Sequence, residues 1–286
     1  MPELPEVETI RRGLEEKIKG LTIKNVEVRL AKQFQGKATD IIGAKVLSVR
    51  RRGKVTIIDL SNGKSLIIHL KLTGQLVFRH DGRSFIGGHP IPFAGTDLPA
   101  KTTHIIFDFT NGARLFYNDL RQFGWIKVLR SEEVNTTSAI GKLGIEPFTN
   151  DFSLEAFSPI LKRSSKPIKL VLMDQEKIAG VGNIYANDAL FEAGIDPRRK
   201  ANSLTPSEGH KLFISLHSVL KEAIKYGGSS AADEAYVNAA GVPGKYQDHF
   251  RVYQRQGQLC LNKCGQKIVR IALSGRGTFF CPHCQK

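Results

Sequence analysis

The chain begins with Pro2 and Glu3 after its initiator methionine, and Glu6 follows three residues later. Removal of the methionine, which is usual before a small residue, would leave Pro2 with a free secondary amine. The pKa of such an amine is about 8, far below the value for lysine, so a useful fraction is neutral and nucleophilic near pH 7. Its attack on a sugar carbon would form a positively charged Schiff base that favours elimination, and Glu3 could protonate the sugar ring oxygen to open the ring.

The same residues also fit a structural role at the start of a helix. Pro2 and Pro5 could delimit the first helix, and an acid such as Glu6 near its N-terminus complements the helix dipole. A helix that buries one face and ends at Gly20 is predicted by four apolar residues spaced three or four apart: Val7, Ile10, Leu14 and Ile18. The N-terminal segment is therefore expected to be anchored on a rigid element.

All four cysteines lie in the last 27 residues and form two pairs, Cys260 with Cys264 and Cys281 with Cys284. In a chain without an export signal, this clustering favours a metal site over disulfides. Two cysteine knuckles joined by a β-hairpin can bring four thiolates together around one structural Zn²⁺, and closing the site stabilises a segment too small for its own core. Four ordinary buried thiols, or His283 in place of one cysteine, are alternatives.

The balance of charges indicates a polyanionic partner. The chain carries 42 Lys and Arg against 27 Asp and Glu, a net charge of +15, and a protein that binds nucleic acid releases counterions for each phosphate it neutralises. A ribosome-associated or merely basic enzyme is the alternative. Residues 251–286 contain seven Lys or Arg and no acidic residue, so they form a nucleic-acid surface or a solvated basic tail. Arg276 lies between two glycines, where it can approach a phosphate closely.

Hydrophobic periodicity predicts a β domain followed by a helical one. Short apolar runs suited to strands occupy 46–49, 55–60, 66–70, 104–109, 115–117 and 125–129. Asn-Gly pairs within 61–63 and 110–112 predict hairpins, so we expect a two-sheet sandwich or flattened barrel. From 154 to 226 the period becomes helical, and 205–208 (TPSE) carries an N-cap, a proline and a capping-box glutamate.

The termini and apolar runs also bear on location. The first eight residues are acidic and interrupted by prolines, unlike a secretory or transit peptide. No run of about 18 apolar residues is present, so no membrane span is expected. We therefore expect a cytoplasmic protein.

Six motifs in a fixed order make the whole chain resemble the formamidopyrimidine-DNA glycosylases, bacterial enzymes that excise 8-oxoguanine and ring-opened purines. The motifs are 2–8 (PELPEVE), 52–54 (RGK), 69–74 (HLKLTG), 118–124 (NDLRQFG), 180–186 (GVGNIYA) and 275–278 (GRGT). Leu4 stands where the related endonuclease VIII enzymes usually have glycine, which favours the formamidopyrimidine branch.

The resemblance implies an α+β multidomain fold: an N-terminal β-sandwich with flanking helices, a helix-two-turn-helix α domain and a C-terminal β-hairpin zinc finger. The corresponding bounds are 1–130 for the catalytic sandwich, 131–150 for a linker and 151–249 for the DNA-binding helical domain. The zinc finger follows at 250–286. Loop 227–248 would recognise the lesion. The expected partner is double-stranded DNA with oxidised bases or abasic sites, bound by a monomer in the bacterial nucleoid.

The implied activity is that of a bifunctional DNA glycosylase and AP lyase for oxidised purines, working through a Schiff base and β,δ-elimination. Pro2 would be the nucleophile and Glu3 the acid in glycosidic cleavage. Lys54 would bind the lesion or its phosphate and serve in β-elimination. Arg276 would hold a phosphate and assist δ-elimination.

Further residues match the family's DNA contacts. Leu72, Arg121 and Phe123 match those that fill the hole left by a flipped nucleotide, a step the chemistry requires because the sugar carbon is inaccessible in a duplex. Without the resemblance, Phe123 would be assigned to the core. Asn183 matches a phosphate ligand, and a helix cap is its alternative role. The implied DNA-binding set is Glu6, His69, Leu72, Arg121, Phe123 and Asn183.

Some positions depart from the family pattern. Leu72 replaces the usual Met at similar volume, so insertion is expected to be kept. Ala231 and Ala232 stand where the family often has Leu-Arg, so the lesion loop is expected to cover the base differently. A His that many members use near DNA is missing from 101–104, and a basic cluster could compensate or form a solvated helix face: Lys162, Arg163, Lys166 and Lys169.

Three alternative functions remain open from the sequence. The first is an endonuclease VIII-like glycosylase for oxidised pyrimidines. The second is a catalytically silent zinc protein that binds damaged DNA. The third is a zinc-ribbon transcription or ribosome-associated factor, which explains the charge and the cysteines but gives no reason for Pro2 and Glu3.

Overall fold

The computed structural model describes residues 1–89, 98–229 and 244–286, which divide into two compact units. The first unit comprises residues 1–141 and 224–247, and the second comprises 142–223 and 248–286. Within the described ranges, no helix is both long and apolar enough to cross a membrane. The domain bounds drawn from the sequence stay a prediction. Most of the lesion loop, including Ala231 and Ala232, lies outside the described residues.

The first unit contains two five-stranded sheets. One has the strand order β1-β8-β9-β6-β7 and the other β2-β10-β5-β4-β3. The strands are β1 Ile23–Val28, β2 Phe34–Gln35, β3 Val46–Arg52, β4 Val55–Leu60, β5 Lys64–His69, β6 Gly74–His80, β7 Arg83–Gly88, β8 Thr103–Phe109, β9 Arg114–Asp119 and β10 Trp125–Arg130. Neighbouring strands are antiparallel except β2 and β10, which are parallel.

The two sheets share one apolar core, which confirms the predicted sandwich. Buried residues from both sheets join a single cluster, among them Ile58 and Ile68 from one and Leu76 and Phe107 from the other. Their burial removes apolar surface from water, which is the main favourable term in folding. The predicted Asn-Gly hairpins are the turns between β4 and β5 and between β8 and β9.

Helix α1, Leu4–Ile18, precedes the sandwich and packs against β3, β4 and β7. The four residues of its predicted apolar face are buried: Val7, Ile10, Leu14 and Ile18. Gly20 follows with a φ of +85°, a left-handed conformation that glycine adopts without strain. The N-terminal segment is thus anchored on a rigid element, as predicted.

The second unit is helical and carries a terminal hairpin. Its helices are α2 Leu154–Lys162, α3 Ile168–Met173, α4 Asn183–Ala193 and α5 Pro206–Lys225, the last of which continues into the first unit. At the start of α5, the backbone N–H of Glu208 donates to Thr205 Oγ1, and the backbone N–H of Thr205 donates to Glu208 Oε2. This is the predicted capping box. The hairpin consists of β11 Val269–Leu273 and β12 Arg276–Phe280.

Candidate functional site

The N-terminal carboxylates are buried at the start of α1. Glu3 is only 2 % exposed, and its backbone N–H donates to Glu6 Oε2 over 2.8 Å. Glu6 Oε1 accepts a second hydrogen bond from the backbone N–H of Ser229, also at 2.8 Å. Gly228 comes so close that an added Cβ would lie 2.8 Å from Glu6 Oε1. Glu6 therefore caps the helix and contacts Gly228 and Ser229, near the start of the predicted lesion loop. Its role toward DNA stays a prediction.

Lys54 lies in the two-residue turn between β3 and β4, where Gly53 has a φ of +55°. Its side chain is nearly buried, at 7 % exposure. His69 ends β5, and its burial together with the charges of Lys71 and Lys54 lowers the pKa of His69 to about 3. The backbone N–H of Lys71 donates to His69 Nδ1, so the neutral ring carries its proton on Nε2. Two lysines are thus close enough to His69 to oppose its protonation, and the neutral ring offers one N–H donor, which suits a phosphate or a polar base edge.

A partly buried ion pair joins α1 to the turn that carries Lys54. Arg51 Nε lies 3.2 Å from Glu8 Oε2, and Arg51 Nη1 donates to the carbonyl of Gly53 at 3.0 Å. Burial raises the pKa of Glu8, but hydrogen bonds from Arg11 and Arg12 and the charge of Arg51 outweigh this and leave the pKa lowered. The charged pair thus connects the helix that begins beside Glu3 with the β3-β4 turn.

Leu72, Arg121 and Phe123 are exposed on two short segments of the first unit. Leu72 is 36 % exposed and Phe123 is 54 % exposed, so the assignment of Phe123 to the core is wrong. The guanidinium carbon of Arg121 lies 5.0 Å from the centre of the Phe123 ring, within the range of a cation–π contact. An exposed aromatic ring stacked by a cation, and an exposed Leu, are side chains suited to fill a gap in a base stack.

Asn183 is the first residue of α4, and its carbonyl accepts from Asn187 Nδ2. Gly182 is the N-cap of this helix, so the alternative role of Asn183 as the cap is wrong. The preceding turn is shaped by Gln175, whose amide donates to the carbonyl of Val181 at 2.7 Å. Asn183 is half-buried at a helix N-terminus, where backbone N–H groups and the dipole favour an anion.

Arg276 is exposed at the first position of β12, directly after the two-residue turn Ser274-Gly275. Both turn residues have positive φ, as a tight hairpin requires. The fully buried Lys169 donates through Nζ to the carbonyl of Gly277 at 2.8 Å. Lys169 therefore supports the hairpin, and neither of its two predicted surface roles is correct.

The four cysteines fit a zinc site. Their sulfur atoms all lie within 4.8 Å of one another, with 3.8 Å between Cys260 and Cys284 and 3.5 Å between Cys264 and Cys281. A tetrahedral Zn²⁺ with Zn–S bonds of about 2.3 Å requires sulfurs about 3.8 Å apart. His283 is not part of the cluster. The donor set is therefore four thiolates for one structural zinc, as predicted.

Three charged residues support the site in ways that sequence reasoning did not predict: Arg51 and Asp119 were given no role, and Lys169 was placed in a surface cluster. All are charged side chains with little or no exposure, which is rare unless the charge has a specific partner. Two of them stand in or beside motifs already singled out, 52–54 and 118–124. Each has at least one partner that is distant in sequence, 43 residues away for Arg51, 46 for Asp119 and 108 for Lys169, and spacing along the chain gives no signal for these contacts.

Three family models match successive parts of the chain. They are the formamidopyrimidine-DNA glycosylase N-terminal domain at residues 1–126, the formamidopyrimidine-DNA glycosylase H2TH domain at 143–235 and the zinc finger found in FPG and IleRS at 257–286. Fold and cysteine site thus define a three-part zinc-finger protein of the glycosylase class. The chain belongs to the formamidopyrimidine-DNA glycosylase family.

Individual relatives match over essentially full length. The formamidopyrimidine-DNA glycosylase of Pelotomaculum thermopropionicum is 40 % identical over 291 residues, which cover 100 % of this chain and 99 % of the relative. A mutant of the Lactococcus lactis FPG in complex with Fapy-dG containing DNA has a TM-score of 0.87 at 34 % identity and covers 100 % of both chains. The Lactococcus lactis Fpg with an abasic site containing DNA has a TM-score of 0.86 at 33 % identity and covers 99 % of both.

Proposed function

We propose that this chain is a monomeric base-excision-repair enzyme that removes oxidised purines, namely 8-oxoguanine and formamidopyrimidines, from duplex DNA and then cleaves the abasic site. Family membership supports the glycosylase activity. The DNA complexes of the Lactococcus lactis relatives, one with Fapy-dG and one with an abasic site, support the substrate. An enzyme acting on chromosomal DNA would work at the nucleoid.

The observation that carries the proposal is the position of Pro2 and Glu3 at the buried start of α1. After removal of Met1, the secondary amine of Pro2 attacks C1′ of the damaged nucleotide. Glu3 protonates the sugar ring oxygen as its bond to C1′ breaks, and the ring opens. The Pro2 nitrogen loses its proton, its lone pair expels the base from C1′, and the departing base takes up a proton. The product is an iminium ion in which the Pro2 nitrogen is bonded to C1′.

The iminium ion then drives strand cleavage. It withdraws electrons from C2′, so a proton-accepting group removes a C2′ proton, and the 3′-phosphate leaves in β-elimination. Loss of the 5′-phosphate follows in δ-elimination, and water releases the sugar fragment from Pro2. Lys54 is assigned to β-elimination because it matches the family's motif at 52–54, and it belongs to the same unit as Pro2 and Glu3. Arg276 and Asn183 are assigned to phosphate binding.

Nucleotide flipping must precede this chemistry, and it costs a few kcal/mol. Leu72, Arg121 and Phe123 are assigned to the gap that the flipped nucleotide leaves. Their exposure and the stacking of Arg121 on Phe123 support this role. Glu6 and His69 are assigned to contacts with the lesion strand.

Borohydride trapping tests the proposal. Borohydride reduces an iminium ion to a stable amine, so a duplex with 8-oxoguanine opposite cytosine should become covalently attached to the protein. A formamidopyrimidine duplex and an oxidised-pyrimidine duplex run alongside measure lesion preference. Intact-mass spectrometry of the same preparation should show loss of Met1, because only then is the Pro2 amine free.

Two variants assign the roles, and a third is the control. Pro2→Gly should lose the trapped complex, and Glu3→Gln should lose base release, while both keep binding to damaged DNA. Glu16→Gln is a matched control, since Glu16 lies on the same helix with a side chain 71 % exposed. Retained Met1, or normal excision by Glu3→Gln, contradicts the mechanism. Tight binding without trapping on any duplex indicates a silent damage-binding protein, and preferred trapping on oxidised pyrimidine indicates an endonuclease VIII-like enzyme.

A further inference from the structure

The three proposed gap-filling side chains belong to two segments that are far apart in sequence. Leu72 lies in the turn between β5 and β6, whereas Arg121 and Phe123 lie in the loop between β9 and β10. Each segment contains a residue with left-handed φ, Lys71 at +52° and Gln122 at +56°. Such conformations are strained in non-glycine residues and persist only where surrounding contacts hold them.

One buried carboxylate contacts both segments. Asp119, at the end of β9, is 0 % exposed. Its Oδ1 accepts from the hydroxyl of Thr73, which follows Leu72 directly. Its Oδ2 accepts from the backbone N–H of Gly124 at 2.7 Å, directly after Phe123. The Thr73 hydroxyl oxygen in turn accepts from the backbone N–H of Arg121 at 2.9 Å.

The surroundings of Asp119 fix its position. Its backbone N–H donates to the carbonyl of Thr102 at 2.9 Å, and its own carbonyl accepts from His104 Nε2 at 2.9 Å. The amide of Gln33 donates both to Asp119 Oδ2 at 2.8 Å and to the carbonyl of Gly124 at 3.0 Å. At Gly124, an added Cβ would lie 3.1 Å from Asp119 Oδ2 and closer still to Tyr117, so only glycine permits this approach.

Both oxygens of the Asp119 carboxylate are hydrogen-bonded by uncharged donors. Among the described residues, no lysine or arginine forms an ion pair with it, so a hydroxyl, a side-chain amide and a backbone N–H carry its hydrogen bonding. A buried carboxylate in this setting is expensive unless every oxygen is hydrogen-bonded. An apolar residue could fill the space, but it would remove the acceptor of the Gly124 N–H and one of the two acceptors of the Gln33 amide.

We propose that Asp119 is a positioning residue that holds Leu72, Arg121 and Phe123 in one fixed arrangement. It acts through Thr73 and Gly124, and it touches neither the sugar nor the base. This inference rests on the proposed function, because it matters only if the three side chains fill a gap in duplex DNA. Loss of Asp119 slows insertion into a duplex and leaves imine formation at Pro2 intact.

A comparison of duplex and single-stranded substrates tests this role. Asp119→Asn keeps the size of the side chain but replaces one acceptor oxygen with a donor. We expect single-turnover excision of 8-oxoguanine from a duplex to fall at least about tenfold, since small displacements of positioning groups have effects of this order or larger. Borohydride trapping on an abasic site in single-stranded DNA, which has no opposite base or gap to fill, should stay within about twofold of the unmodified protein.

Two further variants complete the experiment. Asp108→Asn is the matched control, because Asp108 lies on β8 in a surface ion pair with Arg114 and should leave both readouts unchanged. Thr73→Val retains the carboxylate but removes the hydroxyl link, so it should reproduce the duplex defect even if Asp119→Asn does not fold. Normal duplex excision by the folded variants, or equal losses on both substrates, overturns the role of Asp119. Failure of the unmodified protein to trap any substrate instead overturns the proposed function.

Discussion

At the scale of single residues, His69 is neutral because of its surroundings. Burial removes the solvation that a charged ring needs, and the positive charges of Lys71 and Lys54 oppose protonation further, so the pKa of His69 falls to about 3. Since its Nδ1 accepts from the backbone N–H of Lys71, the Nε2 of the neutral ring is a hydrogen-bond donor near pH 7. A neutral donor can contact DNA without adding a pH-dependent charge.

The low pKa of His69 predicts how stability depends on pH. In the unfolded chain the pKa is about 6.5, so below that pH the unfolded state binds a proton that the folded state does not. Above pH 6.5 the lowered pKa of His69 costs no stability. As the pH falls from 6.5 toward 3, the free energy of unfolding decreases by up to about 1.4 kcal/mol per pH unit. Urea unfolding of the protein and of His69→Gln between pH 7.5 and 5 measures it. A ring that NMR finds protonated at pH 6 would contradict this prediction.

The chemistry-bearing residues differ in how far sequence could identify them. The four cysteines were identified because their paired spacing is a local feature of the sequence. The roles of Pro2 and Glu3 stay predictions, and they also rest on local features, a chain terminus and adjacency. The contacts of Asp119 with Thr73 and of Lys169 with Gly277 were not predicted, because these partners lie 46 and 108 residues away along the chain. For Lys169 the residue type alone favoured a surface position, and burial became favourable only because a carbonyl and a hydroxyl accept from its ammonium group.

At the scale of elements, the strands that sequence identified are those with continuous apolar runs. Four strands were not identified, and each has a local cause. Strand β1 contains a register shift between Ile23 and Asn25, which breaks the alternation of buried and exposed residues. Strand β2 has only two residues. Strand β6 begins at Gly74, and β7 ends in two glycines, a residue that is depleted in strands.

The connection between α1 and the β3-β4 turn depends on Arg51. Replacing it with methionine keeps the apolar stem of the side chain. It removes one of the three arginine partners of Glu8 and the hydrogen bond to the Gly53 carbonyl. We expect Arg51→Met to lower the free energy of unfolding by about 1 to 3 kcal/mol, since Glu8 keeps Arg11 and Arg12. Urea unfolding at pH 7 gives the value, and trapping on an abasic site reports displacement of Lys54.

The neighbouring residue provides the control for Arg51. Arg50 lies on the same strand and pairs with Asp59, but its side chain is 41 % exposed, so Arg50→Met should cost less than about 1 kcal/mol. Because the lowered pKa of Glu8 contributes stability that is lost as the pH falls through it, Arg51→Met should also weaken the acid dependence of unfolding. Similar decreases in the free energy of unfolding for Arg51→Met and Arg50→Met would show that the Arg51–Glu8 pair contributes no more than an exposed ion pair.

At the scale of the whole molecule, charge and metal act together. The net charge of +15 favours association with any polyanion, and the zinc finger adds a cationic hairpin with Arg276 directly after its turn. The second cysteine knuckle is fixed to the helical unit: Gln285 accepts from the backbone N–H of Cys281 and donates to the carbonyl of Ile195, each at 2.9 Å. The second unit therefore holds the second cysteine knuckle in place, and a bound zinc would join the first knuckle to it.

Removal of the metal should separate binding from chemistry. Cys281→Ser deletes one ligand, so we expect loss of the zinc, disorder of the first knuckle and a lower affinity for damaged duplex at physiological salt. The dependence of affinity on salt should become weaker, by about 0.9 in the log–log slope for each phosphate contact that is lost. Metal analysis and fluorescence anisotropy at several salt concentrations give both quantities. His283→Ser is the control and should keep the zinc, because His283 lies outside the sulfur cluster.

The imine chemistry should survive this loss, because the residues proposed for it, Pro2, Glu3 and Lys54, all belong to the first unit. At protein concentrations high enough to saturate the DNA, Cys281→Ser should still be trapped by borohydride on an abasic site. Normal affinity in a zinc-free variant would remove the finger from DNA binding. Absence of trapping at saturation, in a variant whose first unit remains folded, would mean that the second unit also contributes to the reaction at Pro2.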